Sequence, residues 1–276
     1  MHLFHRMREF MMAWRDYPLQ PGSMLHERYQ VMSLLGEGSY GLTYLCHDQD
    51  SGNQVAVKQS RRSKGSSSRL LLQREARMLR LLHHPRIPAY LDCFQAERCD
   101  FMVMTYLEGR TLEELIFEQG HTYGEAECFA LAQQLLELAV HVHDCGFVHL
   151  DLRIPNVIIQ GDELYLIDFG LSRQVGEELP SIHQKHRPAF WRKPAAATGS
   201  KVADETSDLE DIGHFMLFML YSSYEPENGI TAQECSWREE LDLSTQMRQF
   251  LDSLFGHSHP FSNSREALAA IRQRQS

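Results

Sequence analysis

The stretch from His149 to Gly170 constrains the fold most. It reads H-L-D-L-R-I-P-N-V-I-I-Q-G-D-E-L-Y-L-I-D-F-G. Val157–Ile159 and Leu164–Ile167 are short apolar runs, and Gln160-Gly161-Asp162-Glu163 supplies turn residues between them, so the pattern predicts a tight hairpin. Asp151 and Asn156 stand five residues apart just before it, and Asp168 comes directly off its second strand, followed by Phe-Gly. Such a hairpin brings Asp151, Asn156 and Asp168 to one end. Two oxygen donors beside a third carboxylate suit Mg²⁺ held partly by protein and partly by substrate phosphates.

The rest of the chain sets limits on what surrounds this stretch. Its 276 residues suffice for one large domain or two small lobes with a sizeable core. Hydrophobic residues make up 43% and charged residues 23%, as in a water-soluble globular protein. The longest apolar run, Phe215–Tyr221, is far short of a membrane span. His2, His5, Arg6 and Arg8 interrupt any signal-peptide core. Cys46, Cys93, Cys99, Cys128, Cys145 and Cys235 are scattered without C-x-x-C spacing, which implies neither disulfides nor zinc and fits a reduced, cytoplasmic setting. Residues 1–100 hold 14 Lys+Arg against 10 Asp+Glu, a net +4, and residues 101–276 hold 13 against 27, a net −14. The acidic half reads either as a field for basic substrate segments or as a solvated surface. The overall acidity argues against nucleic acid as a partner.

In chain order, Leu3, Met7, Phe10 and Trp14 share one face of an amphipathic helix over residues 1–16, which Pro18 and Pro21-Gly22 end. Arg28–Met32 leads into Gly36-Glu37-Gly38-Ser39-Tyr40-Gly41, and Leu42–Cys46 returns as a strand. Glycines at this spacing let backbone N–H groups approach phosphate oxygens. A dinucleotide-binding turn shares the spacing but needs a helix after the glycines. Val55-Ala56-Val57-Lys58 is a strand ending in a lysine, and Arg61–Ser68 is a polar connection. Residues 69–82 are helical, with Leu71, Glu75, Met78 and Leu82 on one face. Glu75 therefore lies on the apolar side, where a carboxylate is costly unless paired, and Lys58 is its natural partner; a surface role bridging Arg74 or Arg77 is the alternative. Strands follow over 87–94 and 101–106. Thr111 and Glu114 form a cap pair for a helix to Gln119, and Glu125–Cys145 is a long buried helix stopped by Gly146. His141 and His143 point in different directions and make poor metal partners. Residues 171–205 show little periodicity. Ser207-Asp208-Leu209-Glu210 caps an apolar helix to Tyr221, and helices over 238–255 and 263–273 close the chain.

From Arg28 to Arg272 these motifs, in this order, resemble the eukaryotic-like (Hanks-type) protein kinases, and most closely the bacterial serine/threonine kinases. The resemblance implies an α+β bilobal fold. Residues 24–107 would form a small, mainly antiparallel β N-lobe with one key helix, together with the hinge. Residues 108–276 would form a larger, mainly α-helical C-lobe, and residues 1–23 an extension. It further implies ATP and Mg²⁺ as cofactors and a protein hydroxyl as substrate. Lys58, oriented by Glu75, would hold the α- and β-phosphates. Gly36, Glu37, Gly38, Ser39, Tyr40 and Gly41 would cover the phosphates, and Ala56, Met104, Thr105, Leu107 and Ile158 would line the adenine site. Asp168 and Asn156 would hold the metal. Asp151 would accept the proton of the attacking hydroxyl, and Arg153 would contact the γ-phosphate. An aspartate at the Asp208 position holds the catalytic loop from below in this family; a plain helix N-cap is the other reading.

The chain departs from the family pattern at four places. Thr43 stands where valine is usual, a nearly isosteric change. Arg153 stands where serine/threonine kinases have lysine. Leu150 replaces the arginine of His-Arg-Asp, which ordinarily pairs with a phosphorylated loop residue, so the expectation is activity without phosphorylation of Ser172, Ser181 or Thr198. No Ala-Pro-Glu ends the activation segment; Lys193-Pro194-Ala195 is its nearest remnant, and His259-Pro260 stands near the usual Arg-Pro. These departures leave open a small-molecule kinase of the aminoglycoside-phosphotransferase type, or a non-catalytic scaffold.

Overall fold

The structure is a computed structural model, and it describes residues 16–179, 202–224 and 236–275. The helix expected over 1–16, the Lys193–Ala195 remnant, Ser181 and Thr198 lie outside the described residues, apart from Asp16. The chain divides into two compact units. One comprises residues up to Glu108 together with Asp168–Gly170, and the other comprises Gly109–Ile167 and the chain from Leu171 on.

The first unit is built on six strands: β1 (Met24–Leu25), β2 (Tyr29–Glu37), β3 (Gly41–Asp48), β4 (Gln54–Ser60), β5 (Tyr90–Ala96) and β6 (Cys99–Thr105). They are antiparallel in the order β1-β2-β3-β4-β6-β5. The glycine-rich segment joins β2 to β3, pairing Gly36 with Thr43 and Glu37 with Leu42. A strand, not a helix, follows the glycines, so the dinucleotide-binding alternative is excluded. One face of the sheet buries Tyr29, Val31, Leu42, Tyr44, Val57 and Phe101 among others, with the Phe94 and Phe101 rings stacked 4.9 Å apart. Helix α1 (Ser66–Leu81) begins three residues before the expected position 69. The polar run misled because Ser68 is buried, its hydroxyl donating to the Arg61 and Gly65 carbonyls. The inward face of α1 is Leu72, Glu75, Ala76, Met78 and Leu79; Leu71 is only half-buried.

In the second unit β7 (Arg110–Thr111) leads into α2 (Leu112–Phe117), where Thr111 and Glu114 form the expected reciprocal cap. Helix α3 (Glu125–Asp144) buries Cys128, Ala132, Leu135, Ala139 and Val142, the face that the spacing predicts. After β8 (Phe147–Val148), β9 (Val157–Gln160) and β10 (Glu163–Leu166) form the predicted hairpin, registered Val157 to Leu166 and Gln160 to Glu163. Its turn has Gly161 at φ 59°, a conformation that glycine adopts without strain. Strand β11 (Arg173–Gln174) pairs with β8. Helix α4 (Glu205–Tyr221) is capped by Asp204, whose carboxylate accepts the Thr206 N–H, so Asp208 sits inside the first turn and is not the N-cap. The helix expected over 238–255 is two helices, α5 (Trp237–Glu240) and α6 (Thr245–Leu254). The break is held by Arg248, which donates to the Arg238, Leu241 and Leu243 carbonyls, and by Glu125, which accepts from Ser244. Helix α7 (Ser264–Gln275) ends the described chain.

Gly109 is a close-packing point beside a site residue. Its φ is +132°, and a Cβ there would lie 2.6 Å from the Ile159 carbonyl oxygen and 2.7 Å from Ile158 Cγ2. Gly109→Ala is expected to cost about 2–4 kcal/mol through strain and overpacking, read as a lowered urea-unfolding midpoint. A midpoint equal to that of the unsubstituted chain would contradict this close approach.

Candidate active site

Two clusters of site residues form, one in each unit. In the first, β4 delivers Lys58 and α1 delivers Glu75. Lys58 Nζ lies 3.0 and 2.7 Å from the two Glu75 carboxylate oxygens and 2.8 Å from Asp168 Oδ1. Glu75 is 2% exposed and pairs with Lys58, so the apolar-face reading of its position holds. Asp168 has φ 62°, which a non-glycine residue rarely adopts, and its Oδ1 also accepts the Gly170 N–H at 3.2 Å. A Cβ on Gly170 would stand 3.2 Å from that oxygen and 3.6 Å from Glu75 Oε2, so the glycine keeps room for both carboxylates. Gly41 is similarly tight: a Cβ there would meet the Gln59 carbonyl at 3.0 Å and Lys58 Cε at 3.5 Å.

The cluster holds one ammonium and two carboxylates. Burial disfavours the Lys58 charge, but Asp168 and then Glu75 more than offset it and hold the ammonium above its ordinary value. Burial pushes the Glu75 carboxyl up to about 7 against the attraction of Lys58, with Asp168 adding repulsion. Both directions follow from one ammonium shared between two carboxylates, of which Glu75 is buried and Asp168 is 43% exposed.

Of the residues expected to line an adenine site, Ala56, Met104, Thr105 and Leu107 lie on β4, β6 and the segment after it in the first unit. Ala56 and Met104 are buried partners across the β4–β6 ladder. Thr105 donates its N–H to the Ala89 carbonyl, and its hydroxyl accepts from Ala89 N, while Leu107 is half-buried. Ile158, in the second unit, is half-buried on β9.

The second cluster lies on the loop before β9. Asp151 Oδ1 accepts from Arg153 Nε at 2.5 Å, and Oδ2 accepts from Arg153 Nη2 at 3.0 Å and Asn156 Nδ2 at 2.8 Å. Asn156 Nδ2 also donates to the Asp151 carbonyl at 2.9 Å, which commits its amino group and directs its carbonyl oxygen elsewhere. Arg153 thus makes a two-point contact with Asp151 itself. The loop is fixed from beneath by Asp208, which is fully buried and accepts the His149 N–H at 2.8 Å, the Leu150 N–H at 2.7 Å and His143 Nε2 at 2.8 Å. Burial opposes the Asp208 charge, yet its bonds to His143 and the loop hold its pKa below the ordinary value. Leu150 has φ 65°, and the Asp208 contact is what keeps it there. His143 was legible only as a poor metal ligand; its position on the buried face of α3 was the signal for an internal partner. Its Nδ1 meets Ser264 Oγ at 2.8 Å. Ser172 is fully buried, its hydroxyl donating to the His149 carbonyl at 3.3 Å, which removes it as an accessible phosphorylation site.

Among the described residues, no group of three or more His, Cys, Asp or Glu side chains is placed to hold a metal alone, and no helix is long and apolar enough to cross a membrane. The profile of the protein kinase domain matches residues 29–268. The chain belongs to the protein kinase family. The kinase is 33% identical over 261 residues to the "Probable serine/threonine-protein kinase YbdM" of Bacillus subtilis, covering 94% of this chain and 92% of that one. It is 30% identical over 198 residues to "Cyclin-dependent kinase G-2" of Oryza sativa, covering 70% of this chain and 28% of that protein. It is 31% identical over 157 residues to "Serine/threonine-protein kinase cds1" of Schizosaccharomyces pombe, covering 54% and 34%. The fold is thus the bilobal kinase fold, the activity is that of a protein kinase, and its substrates are proteins.

Proposed function

We propose that this kinase transfers the γ-phosphoryl group of ATP, with Mg²⁺, to serine or threonine hydroxyls of a protein. The observation that carries the reading is the three-point contact of Lys58 with Glu75 and Asp168. It supports the reading because a half-buried lysine held in its charged form by two carboxylates suits the neutralising of phosphate oxygens, and because non-catalytic scaffolds commonly lose such a lysine or acid. In this reading Lys58 binds the α- and β-phosphates, Asp168 and Asn156 supply oxygens to Mg²⁺, and the substrate phosphates complete its shell. The donor chemistry fits a hard cation: both residues offer oxygen. Bound Mg²⁺ would neutralise charge developing on the transferred group. Asp151 orients the acceptor hydroxyl and takes its proton. Among the described residues, Oδ2 already accepts two donors and Oδ1 one, so Oδ1 retains acceptor capacity for the hydroxyl. In this reading Arg153, bound to the same carboxylate, contacts the γ-phosphate. The Bacillus subtilis relative is named a probable serine/threonine-protein kinase, which supports the acceptor class.

The reading includes activity that does not need activation-loop phosphorylation. Leu150 cannot pair with a phosphate, and the loop position that it occupies is already fixed by Asp208. The test incubates the protein with Mg²⁺ and labelled ATP, with and without prior phosphatase treatment, and follows autophosphorylation and phosphorylation of a generic basic protein. The expected result is transfer to serine or threonine, with rates within about twofold of each other in the two samples, because Leu150 gives a loop phosphate no charge to pair with. A tenfold or greater loss after dephosphorylation would refute phosphorylation-independent activity, and absence of transfer to any hydroxyl would refute the catalytic reading.

A further inference from the structure

The glycine-rich hairpin has little of its own to hold it still. A Cβ at Gly36 would meet nothing within 4 Å, and one at Gly38 would meet only the Gly41 carbonyl at 3.6 Å. At its tip the Gly38 N–H donates to the Gly41 carbonyl at 2.9 Å, and its flanks are paired in the β2–β3 and β3–β4 ladders. One residue outside the hairpin adds three further hydrogen bonds. Arg61, one position beyond β4, donates its backbone N–H to the Tyr40 carbonyl at 3.0 Å, its Nε to the Gly38 carbonyl at 2.7 Å, and its Nη2 to Glu37 Oε1 at 2.7 Å. A planar guanidinium serves several acceptors at once in fixed directions, which an ammonium cannot.

Arg61 is in turn held from the other side. Its Nη1 lies 3.5 Å from Asp16 Oδ2, and the Asp16 carboxylate is 5% exposed. That carboxylate accepts the Ser63 N–H at 3.1 Å and the Ser63 hydroxyl. The segment carrying Asp16 is tied down again at Leu19, whose N–H donates to the Tyr44 hydroxyl at 3.2 Å; Tyr44 donates onward to Gln59 Oε1 at 3.0 Å. Asp16 precedes the matched kinase domain, which starts at residue 29. All these residues belong to one compact unit.

We infer that Arg61 is a positioning residue for nucleotide binding, clamping the glycine-rich hairpin at Glu37, Gly38 and Tyr40, and that Asp16, upstream of the kinase domain, holds the clamp in place. The nucleotide part rests on the function proposed above; the clamp itself does not. Steady-state kinetics and amide exchange on the full-length chain test both, using Arg61→Ala, Arg61→Lys, Asp16→Asn and the double variant. Arg61→Ala should raise KM for ATP about tenfold, the equivalent of one charge-assisted hydrogen bond, while kcat stays within about twofold. Arg61→Lys should restore only part of this, because lysine keeps the charge without the fork. Asp16→Asn should raise KM less, and should add nothing in the Arg61→Ala background, since it acts through Arg61. Without nucleotide, exchange of the amides of residues 36–41 should quicken about tenfold in both Arg61→Ala and Asp16→Asn. Equal exchange in all forms, or a fall in kcat matching the rise in KM, would overturn the inference. If the exchange differs as expected but no form turns over ATP, the clamp stands and the proposed nucleotide role falls.

Discussion

Asp151→Asn is expected to lower kcat about 10²–10⁴-fold, the usual worth of a positioned general base, with KM for ATP changed by no more than about threefold. The substitution keeps the shape of the side chain and removes its capacity to take a proton. The loop around it should persist, because its anchors do not depend on that carboxylate. Asn156 still bonds the backbone carbonyl of residue 151 at 2.9 Å, and Asp208 still holds His149 and Leu150. Arg153 loses the charge of its Asp151 partner but keeps an acceptor oxygen there. Measuring kcat and KM separately by initial rates, alongside the thermal midpoint, separates a chemical loss from a folding loss. Undiminished kcat with an unchanged midpoint would remove Asp151 from the reaction and return the acceptor's proton to solvent.

The parts of the site that could be read from residues alone are those fixed by local spacing. The hairpin 157–166, the Thr111–Glu114 cap and the inward turn of Glu75 all depend on neighbours within one or two turns of chain, and the structure has each of them. What escaped depends on residues distant in sequence. Local spacing makes Ser207-Asp208 a helix start because serine and aspartate both favour caps, but Asp204 takes that role; the support that Asp208 gives the loop, through partners 58 and 59 residues away, is pointed to by the family resemblance and not by the spacing. The broken helix after Trp237 is set by Arg248 and by Glu125, 119 residues upstream of Ser244. Arg61 belongs to a run of Arg, Ser and Lys that reads as a solvated connection, and only Asp16 and the hairpin carbonyls give it a direction. Polar residues in polar stretches carry the least information about partners, and the clamp and the loop anchor are both made of them.

Asp208→Ala should cost about 3 kcal/mol or more. It leaves the His149 N–H, the Leu150 N–H and His143 Nε2 without their buried acceptor, and each such group costs about 1–3 kcal/mol. Relief at Leu150 opposes part of this: its φ of 65° is a strained conformation worth about 1–3 kcal/mol, which the loop can release once the anchor is gone. That release is also why the activity should fall further than stability alone requires, because relaxing Leu150 turns the next residue, Asp151. The two effects separate in Asp208→Asn, which keeps one acceptor oxygen but presents an amino group to the second backbone donor; it should recover part of the stability and little of the activity. Urea unfolding at fixed pH gives the first quantity, and kcat measured well below the unfolding midpoint gives the second. The pH dependence has a definite sign. The folded-state pKa of Asp208 lies below its ordinary 3.8, so its contribution is fully present above pH 3.8 and is lost as pH falls through the lower folded value. The alanine variant should lack that part of the acid limb. An alanine variant as stable as the unsubstituted kinase, with full kcat, would show that the loop's geometry is held by something other than this carboxylate.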